Sequence, residues 1–554
     1  MTQQTTDVLV IGSGFGGAIP AYHLAAGGAR VTVLERGPYI NPADFTHNLQ
    51  LGSYNRIVDV IKGDGISVVA GNCVGGSSVV YFGASLRAPA FVFDRRGSSG
   101  HRLWPAAHTR EGLDPWYDRA EQALPVARQG WDDISYAGGV LAAACANAGR
   151  TCNPVPLAVE ERRCRNCNWM LSGCRFGAKR SLLLNYLPAA QAHGAEVRPL
   201  SEAQTLCRSP LVGYQYAVTY LNLDPGDYTP SGAGETIHAK VVVLAAGAAG
   251  TPVILKRSAR LLGGVPEAVG MHFSGNGDRV SVAVLNEDRV RTVLGLSRPG
   301  GAAYDAMHIG KPITAATFDY LDPQAAEFTR CTLQQIYFPP ITNTLASVSD
   351  VHEDWFGIAK RNMRGRWRSW LTLLAMTEDD NEGTFGPPPF TGSFVRIAPG
   401  LGRSALAYHP TSRTRRGWDL ADDRLRDLFE RDGLSTVTAW SEEFLGGAVT
   451  AHPLSSCRMG DHPTTSALND FHELRGYKGL FITDASAIPT SLTVNPSLTV
   501  AALAERAVPG IVARAAQHGA AVRYGAGPPD GTAWDTNVSK EAQLLAARAA
   551  AGFN

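Results

Sequence analysis

An apolar run of strand length, Asp7-Val-Leu-Val-Ile11, leads directly into Gly12-Ser-Gly-Phe-Gly-Gly17. Few folds accept such a passage. The glycines match G-x-G-x-x-G: the first makes a tight turn, the second lets backbone approach a pyrophosphate, and the third lets a helix pack close to a strand. Ala18 to Ala26 has helical composition despite Pro20, and Gly27-Gly28 ends it. Arg30-Val-Thr-Val-Leu34 reads as a second strand, and Glu35 closes it 23 positions after Gly12. A carboxylate there can accept hydrogen bonds from ribose hydroxyls. The unit is a right-handed βαβ crossover that binds a dinucleotide, with the helix N-terminus facing the phosphates. FAD and NAD share this fingerprint.

Two further buried strands are expected at Lys240-Val-Val-Val-Leu-Ala245 and Gly479-Leu-Phe-Ile-Thr483. Both suit the centre of the same sheet, so one domain is assembled from distant pieces. Between roughly 281 and 447 the texture changes. Strands are expected at Ser281–Leu285, Ile313–Tyr320, Leu333–Phe338, Trp370–Met376, Ser393–Ile397 and Ala405–His409, with a helix over Asp419–Arg431. This predicts a second domain on a mostly antiparallel sheet.

Composition excludes several classes. Hydrophobic residues make up 44% and charged residues 18% of the 554, and the net charge is +1. No general affinity for nucleic acid or an anionic membrane follows. No stretch offers about 18 apolar residues for a membrane span, and a cytoplasmic location is expected by default. Nine cysteines, an odd number, argue against a disulfide framework.

Gly71-Asn-Cys-Val-Gly-Gly-Ser-Ser78 is a second glycine cluster, suited to backbone lying against a planar ring. Later come Ala451-His-Pro-Leu454, Ser455-Ser-Cys-Arg-Met-Gly460, Phe481-Ile-Thr-Asp-Ala-Ser-Ala-Ile-Pro489 and Val494-Asn-Pro-Ser-Leu-Thr-Val500. This succession, with Ala245-Ala-Gly-Ala-Ala-Gly-Thr-Pro252, resembles the glucose–methanol–choline family of FAD oxidoreductases, and within it the cholesterol-oxidase-type branch. The resemblance implies an α/β fold: a Rossmann-like FAD domain from 1–90, 181–280 and 448–516, a substrate domain from 91–180 and 281–447, and a tail from 517 to 554.

It also implies site roles. Gly12, Gly14, Gly17 and Glu35 would hold the ADP half of FAD. Gly75, Gly76 and Ser77 would lie near the isoalloxazine ring. Asp484 would meet the ribityl–pyrophosphate part, and Pro496 and Ser497 the pyrimidine edge. Phe15, Gly16, Arg36, Gly71, Ala246, Gly247 and Ala485 would also bind the cofactor. His452 and Asn495 would face the substrate. The implied reaction oxidises an alcohol, with a hydrophobic or cyclic secondary alcohol such as a sterol expected. Hydride passes to flavin, and dioxygen or another carrier accepts the electrons. A histidine suits the hydroxyl proton, and an asparagine can donate to the hydroxyl oxygen. A lyase, a carbon–carbon dehydrogenation, or a sugar or long-chain alcohol as substrate are the alternatives.

Some residues depart from that pattern. Ser455-Ser456 replace a usual Gly-Gly. An active-site glutamate known in some relatives has no counterpart, since Trp367 stands near its position. Glu378, Asp379, Asp380 and Glu382 read as a solvated turn, and His462 and His472 as surface residues. Trp355, Phe356, Trp367, Trp370, Phe385 and Phe390 would suit an apolar pocket. Cys164, Cys167 and Cys174 invite a metal reading, with Met170 where a ferredoxin spacing has cysteine and Cys152 as a possible fourth ligand. Structural thiols, a metal site and a local disulfide all stay open, and no metal ligand is assigned.

Overall fold

The computed structural model describes residues 4–47, 56–97, 99–297, 310–337, 369–386, 394–398, 401–439 and 447–530. Three sheets organise them. The first runs Glu196–Arg198, Val31–Leu34, Gln4–Ile11, Glu235–Leu244, Tyr216–Asn222, Ser201–Arg208, and Leu480–Ile482 also pairs with Glu235–Leu244. Gln4–Ile11 pairs in parallel with both Val31–Leu34 and Glu235–Leu244. Val8, Leu9 and Val10 are wholly buried, as are Val241 to Leu244. Continuous apolar runs suit strands covered on both faces.

The first helix spans Phe15–Ala26, starting three residues earlier than composition suggests. Pro20 lies inside it. Proline has no N–H, so the carbonyl four residues back, Gly16, loses its helical partner. The Thr483 hydroxyl donates to that carbonyl at 2.6 Å. The same device recurs in the helix Gly247–Leu262. There Pro252 frees the Ala248 carbonyl, and the Ser456 hydroxyl donates to it at 2.6 Å. Each proline thus ties a helix start to the C-terminal segment.

The second sheet runs Ser435–Ala439, Asp278–Leu285, Trp370–Thr377, Cys331–Ile336, Ile313–Thr317, Asn153–Pro154, all antiparallel. Its faces alternate with period two. Ala283, Leu285, Leu333, Leu371 and Leu373 pack on the helices Tyr136–Asn147 and Ser412–Phe429. The opposite face carries Asp278, Val280, Thr332, Gln334, Ile336 and Leu374, and it meets the first unit.

A third sheet corrects the expectation of one antiparallel sheet. Phe394–Ala398 and Leu401–Ala407 join Thr384–Phe385, Val58–Asp64, Ile66–Gly71 and Ala448–Thr450 instead. The helix expected over 419–431 begins at Ser412, because the Thr411 hydroxyl accepts from the Thr414 N–H and caps it.

Behind the first sheet, the buried Glu505 on the helix Ser497–Gln517 accepts from Tyr186 at 2.5 Å and Arg119 at 3.0 Å, and meets His23 at 3.0 Å. Burial raises its pKa, but these partners outweigh burial and hold it below the usual value. A depressed folded pKa adds stability above the ordinary carboxylate pKa, and that stability is lost as pH falls through it. Glu505→Gln is expected to cost about 3 kcal/mol, as when one member of a buried ionic cluster is removed. A lower urea midpoint at neutral pH checks this, and the deficit should shrink in acid.

Candidate active site

A candidate cofactor cradle is built from close backbone approaches. A side chain at Gly17 would put its Cβ 1.9 Å from the Gly12 carbonyl oxygen. Gly76 has φ +56°, and a Cβ there would lie 2.9 Å from the Gly14 Cα. The two glycine clusters are therefore pressed face to face. Gly16 packs against the Asp484 backbone, and Gly71 lies beside Gly76 and Ser77, whose hydroxyl accepts from the Gly71 N–H.

Ser13, absent from the sequence expectations, joins the parts. Its hydroxyl donates to Glu35 at 2.6 Å and accepts from the Gly75 N–H at 2.9 Å. Glu35 also accepts from the Ser13 and Gly37 N–H groups. Arg36 pairs with the buried Asp59 and donates to Asn72, so its charge is already partnered within the protein. The Phe15 ring meets Tyr81 edge-on at 5.8 Å. Asp484 is committed as well. Its carboxylate accepts from Gly247 N–H, the Thr251 hydroxyl and Ser486. Burial pushes its pKa up against those bonds. It fixes Ala246, Gly247 and Ala485 around the cradle.

Two helices begin at these segments, Phe15–Ala26 after Gly14 and Ser497–Gln517 after Pro496. Neither has a side-chain cap or an acid in its first turn. The positive dipole ends of both helices are thus left without a side-chain partner, and an anionic ligand would complete them. The segment 75–84 connects the two starts, since Ser497 donates to the Ala84 carbonyl at 2.9 Å. A cradle of close glycine backbones, a carboxylate at the strand end and two open helix starts fit FAD.

Just before the second of these helices, Asn495 Nδ2 lies 3.2 Å from His452 Nε2. Both His452 nitrogens are engaged, because Nδ1 lies 2.9 Å from both Asp278 oxygens. Asp278 is buried, and the Thr450 hydroxyl donates to it at 2.9 Å. Gln334 Nε2 donates to Asn495 Oδ1 at 2.9 Å. That bond turns the Asn495 amide N–H toward His452, so Nε2 is the acceptor and Nδ1–H donates to Asp278. The arrangement fixes one neutral tautomer with its lone pair toward Asn495. Asp278 and Gln334 escaped sequence reasoning. For Gln334 a signal existed: a long amide side chain in a strand expected to be buried, on the same face as Thr332 and Ile336.

Other expectations are corrected. Glu378 and Asp379 are wholly buried rather than solvated. Glu378 pairs with Arg330 at 2.9 Å, and Asp379 accepts from the Tyr408 hydroxyl and Gly275 N–H. His472 is buried too, bonded to the Ile482 carbonyl, and burial lowers its pKa to about 3. Ser455 has φ +73°, the region that favours glycine, and its hydroxyl accepts from Asn381. Ser455 and Ser456 therefore serve packing. Phe385 packs edge-on against Phe273 in the core of the third sheet, and Trp370 opens a strand of the second. Trp355, Phe356, Trp367 and Phe390 lie outside the described residues. Cys164, Cys167 and Cys174 line a cleft with His47, Trp169 and Met170, whereas Cys152 packs beside Cys145 in another core. All nine cysteines are free thiols. Among the described residues no three His, Cys, Asp or Glu side chains converge to hold a metal, and no helix is long and apolar enough to cross a membrane.

The chain is similar to several known oxidoreductases. A cholesterol oxidase of Mycobacterium tuberculosis is 26% identical over 90% of each chain. A 2-methyl-1,2-propanediol dehydrogenase of Mycolicibacterium austroafricanum is 26% identical over 91% of this chain and 94% of its own. The crystal structure of pyridoxine 4-oxidase from Mesorbium loti superposes with a TM-score of 0.60 at 18% identity, covering 91% of this chain and 99% of that one, a likeness of fold. Residues 7–274 match the N-terminal and 415–504 the C-terminal model of GMC oxidoreductase. With well over half of its length matched, the chain belongs to the GMC oxidoreductase family and is an FAD-dependent enzyme acting on alcohols.

Proposed function

We propose that the enzyme oxidises a hydrophobic or cyclic secondary alcohol, of which a sterol is one kind, to its carbonyl compound, with His452 and Asn495 handling the hydroxyl. FAD, when bound, supplies the two-electron acceptor for the carbinol hydrogen. One observation carries the reading: the fork formed by His452 Nε2 and Asn495 Nδ2. A hydroxyl entering that fork donates to Nε2 and accepts from the amide N–H. As the carbon loses hydride, its oxygen gains carbonyl character, its proton passes to Nε2, and the amide bond steadies the oxygen. Asp278 then faces the imidazolium that forms. Dioxygen or another carrier takes the electrons afterwards.

The substrate class is supported by the sheet face around Gln334. Val280, Ile313, Ala316, Ile336 and Leu374 form one apolar cluster there. They are buried with Ala84, Val155, Leu157 and Val159, so the surroundings of Gln334 are apolar, which suits a hydrocarbon skeleton better than a sugar. The cholesterol oxidase and the propanediol dehydrogenase among the relatives both act, by name, on hydroxyl-bearing compounds. Anaerobic mixing with sterols, branched alcohols, long-chain alcohols and sugars tests the proposal. The yellow of oxidised flavin is expected to bleach fastest with cyclic or branched hydrophobic alcohols. Bleaching by sugars alone would overturn the substrate class, and bleaching by none of them the assignment of the fork.

A further inference from the structure

The sheet face beside the fork carries buried polar atoms that have no hydrogen-bond partner among the described residues. Gln334 and Thr372 are 0% and 2% exposed. Gln334 Nε2 donates to Asn495, but Gln334 Oε1 and Thr372 Oγ1 are unpartnered. So is Trp370 Nε1, two residues from Thr372. Other buried atoms share this state, such as the His108 ring nitrogens and the Asn168 amide, but they sit in loops outside the sheet. The three named here share one face. Side chains alternate along Trp370–Thr377, so Trp370, Thr372 and Leu374 point the same way, and Leu374 pairs with Gln334.

Register places these atoms relative to the fork. Asp278, which holds His452, pairs with Met376, and Thr372 lies four residues further along that strand. Thr372 pairs with Ile336, which makes it a diagonal neighbour of Gln334, about 7 Å away and within reach of a long side chain. The side chains between and beside them, Val280, Val282, Ile336 and Leu374, are buried and apolar and offer no bond. An acceptor and a hydroxyl left unpaired in such surroundings are costly until something completes them. Gln334 Oε1 only accepts, and the Thr372 hydroxyl can donate. One hydroxyl between them satisfies both, donating to Gln334 and accepting from Thr372. Trp370 Nε1 only donates, and it extends the same polar track away from His452.

We propose that the substrate carries, besides the alcohol that reacts, a second hydroxyl on an otherwise apolar skeleton, held between Gln334 Oε1 and Thr372 Oγ1. The proposal rests on the reading that the reacting alcohol enters the fork of His452 and Asn495.

Matched pairs of alcohols test it by anaerobic bleaching of the holoenzyme. Cyclohexanol is set against the 1,2-, 1,3- and 1,4-cyclohexanediols, and a 3-hydroxysteroid against the same steroid with a second hydroxyl. In at least one pair the diol is expected to bleach the flavin about tenfold faster or more at equal low concentration, the scale of a buried polar site that the simpler alcohol leaves unpaired. Thr372→Val, which keeps the shape and removes the hydroxyl, should bring that ratio close to one, and Thr372→Ser should keep most of it. If simple alcohols bleach the flavin and every diol is equal or slower, the proposal is overturned while the reading of the fork stands. A ratio unchanged in folded, yellow Thr372→Val overturns it as well. If no member of any pair bleaches the flavin, the reading of the fork fails and the proposal with it. Should Thr372→Val fail to fold, the ratios in the parent enzyme decide.

Discussion

His452→Gln holoenzyme is expected to stay folded and yellow, yet to be bleached by its alcohol about 10²- to 10⁴-fold more slowly, the range for a lost acid–base group. The reason is positional. Glutamine can fill much of the space and still meet the Asn495 amide, but its oxygen is a far weaker base than imidazole Nε2. The hydroxyl would still be bound, so substrate affinity should change little while the bleaching step slows. Asn495→Leu should slow it by about 10²- to 10³-fold, as when one donor to a developing oxyanion is lost. Single-turnover bleaching at saturating substrate checks both. An unchanged rate in His452→Gln would remove this residue from the chemistry and leave the fork only a structural contact.

How much of this could be read in advance depended on whether the information was local. The turn at Gly12 to Gly17 needs small residues at fixed offsets, so the βαβ unit was visible in the first 35 residues. Strands covered on both faces, such as Val241 to Leu244, announce themselves as unbroken apolar runs. His452 and Asn495 entered through a family resemblance, because only the fold brings residues 43 apart to within 3.2 Å. Asp278 had no signal, since it follows Gly277 at an ordinary strand start and gains meaning only from His452 across space. The buried acids Glu378 and Asp379 were misread for a physical reason. Four acids in five residues favour solvent unless cations and N–H groups from elsewhere satisfy them, and Arg330, Tyr408 and Gly275 do so here. The split of the expected antiparallel sheet was hidden too, because the strand that draws Leu401–Ala407 and its local partners into a separate sheet, Val58–Asp64, lies more than 300 residues upstream.

Asp278→Asn should slow bleaching nearly as much as loss of His452 itself, by about 10²- to 10⁴-fold. The carboxylate accepts from Nδ1–H and so leaves Nε2 free as the acceptor. An asparagine can instead turn its amide N–H toward Nδ1, which moves the ring proton to Nε2. A protonated Nε2 cannot take the hydroxyl proton, and the imidazolium that would form has lost its facing charge. Thr450, which donates to the same carboxylate, can donate equally to the amide oxygen, so the local packing is kept. The decisive measurement is the double variant. If Asp278 acts only through His452, Asp278→Asn added to His452→Gln slows bleaching no further, since the two belong to one unit. If the two losses multiply, Asp278 supports the strand Asp278–Leu285 and its sheet independently of the histidine. Retained FAD and an unchanged urea midpoint in the single variant would exclude that structural account directly.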